Sequence, residues 1–198
     1  MDLPSAHDAE DGANDLEADV TALSAVANVD GPVVLVGHSY GGAVISEAAS
    51  RIDQLTGLIY IAALVPNPGE CASDASRVVR VRTELDEAME VAGPFVRLDP
   101  TRAAAGLYAE CASDVQSWAL AQLGRQTIAS FRGIRHSPDM NVTRRYLLCR
   151  HDRAIDPSVQ ELMGERCDEV IELASDHSPF LSHPVECADA VLGVYPAP

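Results

Sequence analysis

The sequence predicts an α/β fold, a doubly wound and mostly parallel sheet with helices on its faces, and two observations lead to this prediction. Four short runs rich in β-branched and other apolar residues indicate strands, at residues 33–36, 58–61, 145–149 and 169–173. The first two runs are apolar throughout, which is typical of strands that are buried on both faces. Helical patterns lie between and around the runs, and this alternation is characteristic of a doubly wound domain.

The helices are predicted from their caps and from the spacing of apolar residues. Asn14 and Glu17 have the spacing of a capping box at the start of a first helix. The apolar residues that follow fall on one face of that helix: Leu16, Val20, Leu23 and Ala27. A second helix is predicted over residues 42–51, directly after the first strand. Asp156 before a proline is typical of an N-cap with proline at the first helical position, and Pro184 opens the last helix in a similar way.

A long segment separates the second predicted strand from the third. Residues 66–140 begin in a turn-rich run of proline, asparagine and glycine, hold much of the arginine, and contain helical patterns near residues 84–91 and 112–123. No part of this segment alternates as a strand would. Because it is far longer than an ordinary loop, we expect a helical cap insertion over residues 66–140 and a core formed by residues 1–65 and 141–198.

Composition excludes several classes of function. The chain of 198 residues carries 14 basic residues, all of them arginine, against 30 acidic ones, a net charge of −16. This charge would repel a nucleic acid or an anionic membrane surface, so we expect neither as a partner. No apolar run approaches the roughly 18 residues of a membrane span, and the first residues hold no basic leader segment. We therefore expect a globular cytoplasmic protein that is long enough to bury a sizeable core.

The sequence indicates no metal or redox site. The five cysteines are widely spaced without a C-x-x-C pair, and we expect them to behave as small, mostly buried apolar residues. No H-E-x-x-H spacing occurs either, so we predict no metal and no cofactor. Among the histidines, His38 is expected to be structural, whereas no role is predicted for His7, His136 or His151.

The motif Gly37-His38-Ser39-Tyr40-Gly41 follows the first predicted strand and precedes the second helix. A serine on so sharp a strand-to-helix turn is strained, and side chains two residues away on either side would collide. Gly37 and Gly41 remove those collisions. Ser39 then stands at a helix N-terminus, where the dipole and the N–H of Tyr40 favour developing negative charge. The context therefore predicts that Ser39 is a nucleophile and that the Tyr40 N–H is an oxyanion donor.

A serine nucleophile needs a base that is held in place by a third group. On a scaffold with this type of turn, an acid and then a histidine follow the serine, each at the carboxyl end of a later strand. Two acids compete after the third strand, and Asp152 is preferred because a helix cap already explains Asp156. For the base, His177 directly follows the fourth strand, whereas His183 lies at the start of a helix. We therefore predict Ser39, His177 and Asp152 as nucleophile, base and orienting carboxylate.

With these motifs the chain resembles the α/β-hydrolase superfamily, and within it the branch of small esterases related to plant methyl esterases and hydroxynitrile lyases. The segments that carry the resemblance are Asp2-Leu3-Pro4 and residues 33–42, 45–46, 60–69, 108–111, 118–126, 149–155 and 177–182, with Pro184. They span nearly the whole chain, and the three catalytic motifs fall in the order of the family. The resemblance implies the same roles for Ser39, Asp152 and His177.

One departure from the family bears on activity. Members of this branch begin with a strand and a His-Gly oxyanion loop ahead of the Asp-Leu-Pro segment, which here occupies residues 2–4. The resemblance therefore implies an N-terminal truncation and the loss of a second oxyanion donor, which typically costs about 100- to 1000-fold in turnover. It also implies that residues 33–36 form an exposed sheet edge, through which the chain could self-associate. A late start, a degenerate remnant and completion by a partner chain stay open as explanations, and we favour a truncated or late-started family member.

The predicted function is that of a serine hydrolase that cleaves a small carboxylic ester or lactone under the cap, through an acyl-enzyme on Ser39. The alternative is a catalytically impaired relative that keeps the scaffold as a small-molecule binding or interaction module. The missing loop motivates this alternative, and the three retained triad residue types argue against it. Lyase chemistry, known in the same branch, is disfavoured because the resemblance requires a cap lysine and the chain contains no lysine.

Overall fold

The computed structural model describes residues 1–6 and 12–193, and His7, for which no role was predicted, lies outside them. In chain order the elements are α1 (Leu16–Ala27), β1 (Val33–His38), α2 (Gly41–Ala48), β2 (Leu55–Ile61), α3 (Ala72–Ala75), α4 (Glu84–Ala88), β3 (Met89–Ala92), β4 (Phe95–Leu98), α5 (Pro100–Leu107), α6 (Ser113–Ala121), β5 (Gln126–Thr127), α7 (Ile128–Arg132), β6 (Thr143–Cys149), α8 (Pro157–Gly164), β7 (Glu169–Leu173), α9 (Pro179–Ser182) and α10 (Pro184–Leu192). A short 3-10 turn, Ala49–Arg51, extends α2.

Four parallel strands form the central sheet, in the order β1, β2, β6 and β7. They contain the four predicted strand runs. Helices α1, α2 and α8 pack their apolar residues against one face of the sheet, and α10 packs against the other face. The predicted α/β class with a parallel sheet between helices is therefore confirmed. Because all four strands run the same way, the loops after them meet at one edge of the sheet.

The first two strands differ in burial, although both were predicted to be buried on both faces. Strand β2 lies between β1 and β6 and is buried from Gly57 to Ile61. In β1, Leu35 is buried but Val36 is 48% exposed. The prediction was therefore wrong for β1. Side chains alternate between the two faces along a strand, so Val36 points away from the face that α1 and α2 cover. Helix α10 covers the face to which Val36 points, but it lies over β7, the strand at the opposite edge of the sheet from β1.

The helix starts follow the predicted caps with one correction. Asp15 caps α1, because its side chain accepts a hydrogen bond from the Ala18 N–H. Asn14, which was predicted for that role, instead donates from Nδ2 to the carbonyl of Pro4 at 2.7 Å. The Asp156 cap on α8 and the proline opening of α10 are confirmed.

The segment between β2 and β6 contains five helices and a small antiparallel sheet, in the order β3, β4, β5. The expectation that this segment holds no strand was therefore wrong, and the helix predicted near residues 84–91 ends at Ala88. For β3 the reason is that all four of its residues are exposed. A strand without a buried face leaves no alternating pattern in the sequence.

Among the residues that the structure describes, no helix is both long and apolar enough to cross a membrane. All five cysteines are free thiols, of which Cys71, Cys149 and Cys187 are buried. Burial raises the pKa of the Cys149 thiol to about 12. A thiol of such high pKa is a poor nucleophile, as expected of a structural apolar residue.

Candidate active site

Ser39 lies on the turn between β1 and α2 with a φ of 54°, in the left-handed region that residues with a side chain rarely adopt. Its N–H donates to the Ile61 carbonyl at 3.2 Å. Its own carbonyl accepts hydrogen bonds from the N–H groups of Gly42 and Leu64, at 3.1 and 3.0 Å. The end of β2 and the start of α2 therefore hold the turn in its strained conformation, as a nucleophile elbow requires.

Close packing around this turn requires two glycines, one of which the sequence analysis missed. A Cβ at Gly37 would lie 2.6 Å from the carbonyl oxygen of Gly41, and a Cβ at Gly42 would lie 2.5 Å from that of Leu64. A Cβ at Gly41 would meet no atom within 4 Å. The crowding expected at Gly41 therefore occurs at Gly42 instead, because Gly41 faces open space while Gly42 faces the chain that follows β2.

The side chain of Tyr40 anchors the elbow to α1. Its hydroxyl donates to Asp19 Oδ2 at 2.8 Å, and Asp19 also accepts from the N–H and the hydroxyl of Ser5, at 2.9 and 2.6 Å. Burial and the neighbouring Asp19 carboxylate raise the pKa of Tyr40, so the phenol stays a hydrogen-bond donor. No sequence motif predicted this network. Its only signal in the sequence is the acidic residue Asp19, which precedes the apolar residue Val20 in α1.

The loops after β6 and β7 bring Asp152 and His177 together. Asp152 Oδ2 lies 2.7 Å from His177 Nδ1, and both side chains are buried. Asp152 Oδ1 accepts the N–H groups of Ala154 and Ile155, at 2.7 and 3.0 Å. Because a carboxylate only accepts hydrogen bonds, the proton of this pair lies on Nδ1. This tautomer leaves Nε2 of His177 free to accept a proton.

Gln160 in α8, which no sequence motif predicted, completes the surroundings of Asp152. Its side-chain NH₂ donates to Asp152 Oδ2 at 2.8 Å and to the Ile155 carbonyl at 2.7 Å. Its Oε1 accepts from the Cys149 N–H at 2.9 Å. Gln160 is fully buried. A polar residue among the inward-facing apolar positions of α8 is the only sequence signal for this role.

His38 connects the elbow to the loop after β7. Its Nε2 donates to the backbone carbonyl of His177 at 2.8 Å, and the two imidazole rings lie 4.5 Å apart. The ring of Phe180 packs edge-on against His38. Burial and the neighbouring His177 imidazole lower the pKa of His38, so His38 is neutral and keeps its proton on Nε2.

The structure thus pairs Asp152 with His177 and places Ser39 next to a residue that contacts His177. Within the described part of the chain, neither the Ser39 hydroxyl nor the Tyr40 N–H takes part in a hydrogen bond. Catalytic hydrogen bonds are often long before substrate binds and tighten in the complex. The Tyr40 N–H lies at the start of α2, where the helix dipole favours a negative charge.

The two residues that competed for these roles have other contacts. Asp156 caps α8, and His183 Nε2 lies 2.9 Å from Glu110 Oε2 on the surface. No group of three or more His, Cys, Asp or Glu side chains in residues 1–6 and 12–193 is arranged to hold a metal ion.

Comparisons with known proteins agree with this architecture. A family model described as the alpha/beta hydrolase family matches residues 1–190. The alpha/beta hydrolase nvfD of Aspergillus novofumigatus is 32% identical over 184 residues, which cover 86% of this chain and 72% of that protein. The crystal structure of a pyrethroid hydrolase from Sphingobium faniae JZ-2 has a TM-score of 0.82 at 22% identity, covering 97% of this chain and 83% of that one. The methylesterase MES16 from Arabidopsis has a TM-score of 0.77 at 22% identity, covering 98% and 84%.

Proposed function

Because this chain belongs to the alpha/beta hydrolase family, as its sequence motifs suggested, we propose that it is a serine hydrolase that cleaves a small carboxylic ester or lactone. The observation that carries the proposal is a strained serine at φ 54° that directly follows His38, which contacts His177, together with the buried pair of Asp152 and His177. A serine hydroxyl is a weak nucleophile by itself, and this pair is what would activate it.

In the proposed reaction the Ser39 Oγ attacks the ester carbonyl while His177 Nε2 takes its proton. The Asp152 carboxylate, 2.7 Å from Nδ1, stabilises the imidazolium that forms. The Tyr40 N–H donates to the oxyanion of the tetrahedral intermediate. His177 then protonates the leaving alcohol, which in a lactone stays attached to the acyl group. Water, activated by the same imidazole, attacks the acyl-enzyme and releases the acid from Ser39.

The surroundings of His177 favour this chemistry. Because His38 is neutral, its ring adds no positive charge beside the imidazolium that forms on His177. Gln160 and two backbone N–H groups occupy the remaining acceptor positions of Asp152, so the carboxylate is held in one orientation. A carboxylate that is fixed in this way stabilises the positive charge that develops on His177 without reorganising during the reaction.

We assign residues 66–140 to a cap over this site. Buried residues of α4 and α5, Ala88, Ala103 and Leu107, pack with Ala154, two residues after Asp152. The N–H of Leu85 also donates to the carbonyl of Arg153 at 3.3 Å. These contacts place part of the segment against the loop that carries Asp152, where a cap would limit the substrate to a small molecule. The methylesterase among the neighbours in fold supports a carboxylic ester as the substrate class.

A fluorophosphonate probe tests the nucleophile. We expect the wild-type chain to be labelled at one site and to hydrolyse p-nitrophenyl acetate, and Ser39→Ala to lose labelling and at least about 1000-fold in kcat. Ser76→Ala, which removes an exposed hydroxyl in the cap segment, is the matched control and should behave as wild type. Labelling that persists in Ser39→Ala would reject the proposed nucleophile. A wild-type chain that binds small esters without labelling or turnover would favour a binding module.

A further inference from the structure

Asp176, which directly precedes His177, is a fully buried carboxylate. Its Oδ1 accepts from the Ser178 N–H at 3.2 Å and from the Ser182 hydroxyl at 2.7 Å. Its Oδ2 accepts from the backbone N–H of Glu110 at 2.9 Å. Burying a carboxylate is costly unless hydrogen bonds satisfy it, so this position demands a specific acceptor.

Two of the three partners of Asp176 follow His177 in the chain, and the third lies in the cap segment. Ser178 flanks His177 on its other side, and Ser182 belongs to α9, so two of the hydrogen bonds fold the His177 loop around the carboxylate. Glu110 lies in the cap segment between α5 and α6. The carboxylate of Asp176 thus joins the backbone on either side of the base to the cap.

The side chain of Glu110 makes a second connection to the same loops. Its Oε1 accepts from His151 Nδ1 at 2.6 Å, and His151 directly precedes Asp152. Its Oε2 accepts from His183 Nε2, directly before α10. Glu110 is therefore hydrogen-bonded both to His151, next to the proposed orienting acid, and to Asp176, next to the proposed base. No function derived above uses Glu110, His151 or Asp176.

We propose that Asp176 is a positioning residue for His177 and that, together with Glu110, it couples the docking of the cap to the placement of the base. This proposal rests on the proposed function, since it assigns His177 as the base. With the cap docked, the Glu110 N–H holds Asp176, and Asp176 fixes the backbone on both sides of His177. With the cap lifted, Asp176 loses one partner and the His177 loop gains freedom to move.

Asp176→Ala and Asp176→Asn test the positioning role. We expect Asp176→Ala to lower kcat for p-nitrophenyl acetate about 10- to 100-fold with little change in KM, because a base displaced by about 1 Å loses activity to that extent. Asp176→Asn keeps the acceptor for Ser178 and Ser182 but presents an NH₂ to the Glu110 N–H, so it should recover only part of the loss. A proton NMR spectrum adds a readout that is independent of turnover. The downfield resonance of the proton between His177 Nδ1 and Asp152 should broaden in Asp176→Ala and be intermediate in Asp176→Asn.

Glu110→Ala tests the coupling to the cap at a partly exposed position, and it stays decisive if Asp176→Ala does not fold. It keeps the backbone N–H but removes both histidine contacts, and we expect a fall in kcat of about threefold or more with the melting temperature nearly unchanged. Glu90→Ala, an exposed acid on β3, is the matched control. Unchanged kcat and an unchanged NMR resonance in Asp176→Ala and Glu110→Ala would overturn the proposal. Absence of labelling and turnover in the wild type would reject the proposed function instead, and the NMR comparison would still test the positioning.

Discussion

The two halves of the candidate site are held in different ways. Around Asp152 and His177, side chains are fixed by hydrogen bonds, and both carboxylate oxygens of Asp152 have two partners each. Around Ser39, the backbone is fixed by close packing, with a positive φ and glycines that leave no room for a Cβ. The hydrogen bonds around Asp152 and His177 fix the positions of protons and charges, whereas the packing around Ser39 fixes the position of its backbone.

This difference predicts which kind of substitution each half tolerates. An isosteric change that exchanges an acceptor for a donor leaves packing intact, so its main effect on the half around Asp152 should be on function. A single added methyl group leaves charges intact, so it should disrupt the half around Ser39 in stability. Making each kind of substitution in both halves of the site would show whether the two halves are held in different ways.

The largest effect is expected from Asp152→Asn. The amide NH₂ of the new side chain can donate to His177 Nδ1, which moves the imidazole proton to Nε2 and removes the base. A comparable change in the reference Ser-His-Asp triad costs about 10⁴-fold in kcat, and we expect a loss of about 100- to 10,000-fold here. Steady-state kinetics with p-nitrophenyl acetate, together with the urea midpoint, would measure it.

Asp156→Asn is the control for this prediction, because it makes the same chemical change at the α8 cap four residues later. Asparagine is as good an N-cap as aspartate, so kcat and stability should both stay close to wild type. Equal losses of kcat in the two variants would show that Asp152 has no special role and would remove the distinction between the halves.

An intermediate effect is expected from Gly42→Ala. The added Cβ would lie 2.5 Å from the Leu64 carbonyl oxygen and 2.8 Å from the Ala63 Cβ, in a buried part of the core. Overpacking of this kind costs about 1–3 kcal/mol in the free energy of unfolding. Gly41→Ala adds the same methyl group one residue earlier, where it meets no atom within 4 Å. Urea unfolding should show a clear loss for Gly42→Ala and little change for Gly41→Ala, and equal midpoints would contradict the packing argument.

The strands of the central sheet and the starts of α8 and α10 could be predicted because their signals are local. Apolar runs marked every strand of the central sheet, and the caps at Asp156 and Pro184 depend on neighbouring residues alone. The prediction was wrong where burial depends on distant elements. Val36 is an apolar residue in a strand of the central sheet and is nevertheless 48% exposed, and β3 is a strand with four exposed residues.

The candidate site shows the same limit. The residue types and their order along the chain indicated Ser39, Asp152 and His177, since each follows a strand of a parallel sheet. The residues that surround them were missed, because Gln160, Asp19 and Asp176 act through contacts that no short motif records. For Asp19 and Gln160 the trace in the sequence is a polar residue at a position of a helix that is buried, whereas Asp176 lies in a loop and leaves no such trace.

The smallest effect concerns the pH dependence of the cap contact. Desolvation raises the pKa of Glu110, but hydrogen bonds from His183 and His151 outweigh it and lower the pKa overall from its ordinary value of 4.5. A lowered carboxyl pKa contributes stability that is present above pH 4.5 and is lost as the pH falls through the lowered value. Because the contact is partly exposed, the contribution should be less than about 1 kcal/mol.

Thermal unfolding between pH 6 and pH 3 would measure this contribution as the difference between wild type and Glu110→Gln, with Glu90→Gln as the exposed control. The difference should be present at the upper end and shrink towards the lower end, whereas the control should track wild type throughout. A difference that persists undiminished at pH 3 would mean that the Glu110 charge contributes nothing. A small contribution to stability would distinguish Glu110 from Gly42, whose substitution should destabilise the fold. Glu110 would then affect the position of the base with little effect on the free energy of unfolding.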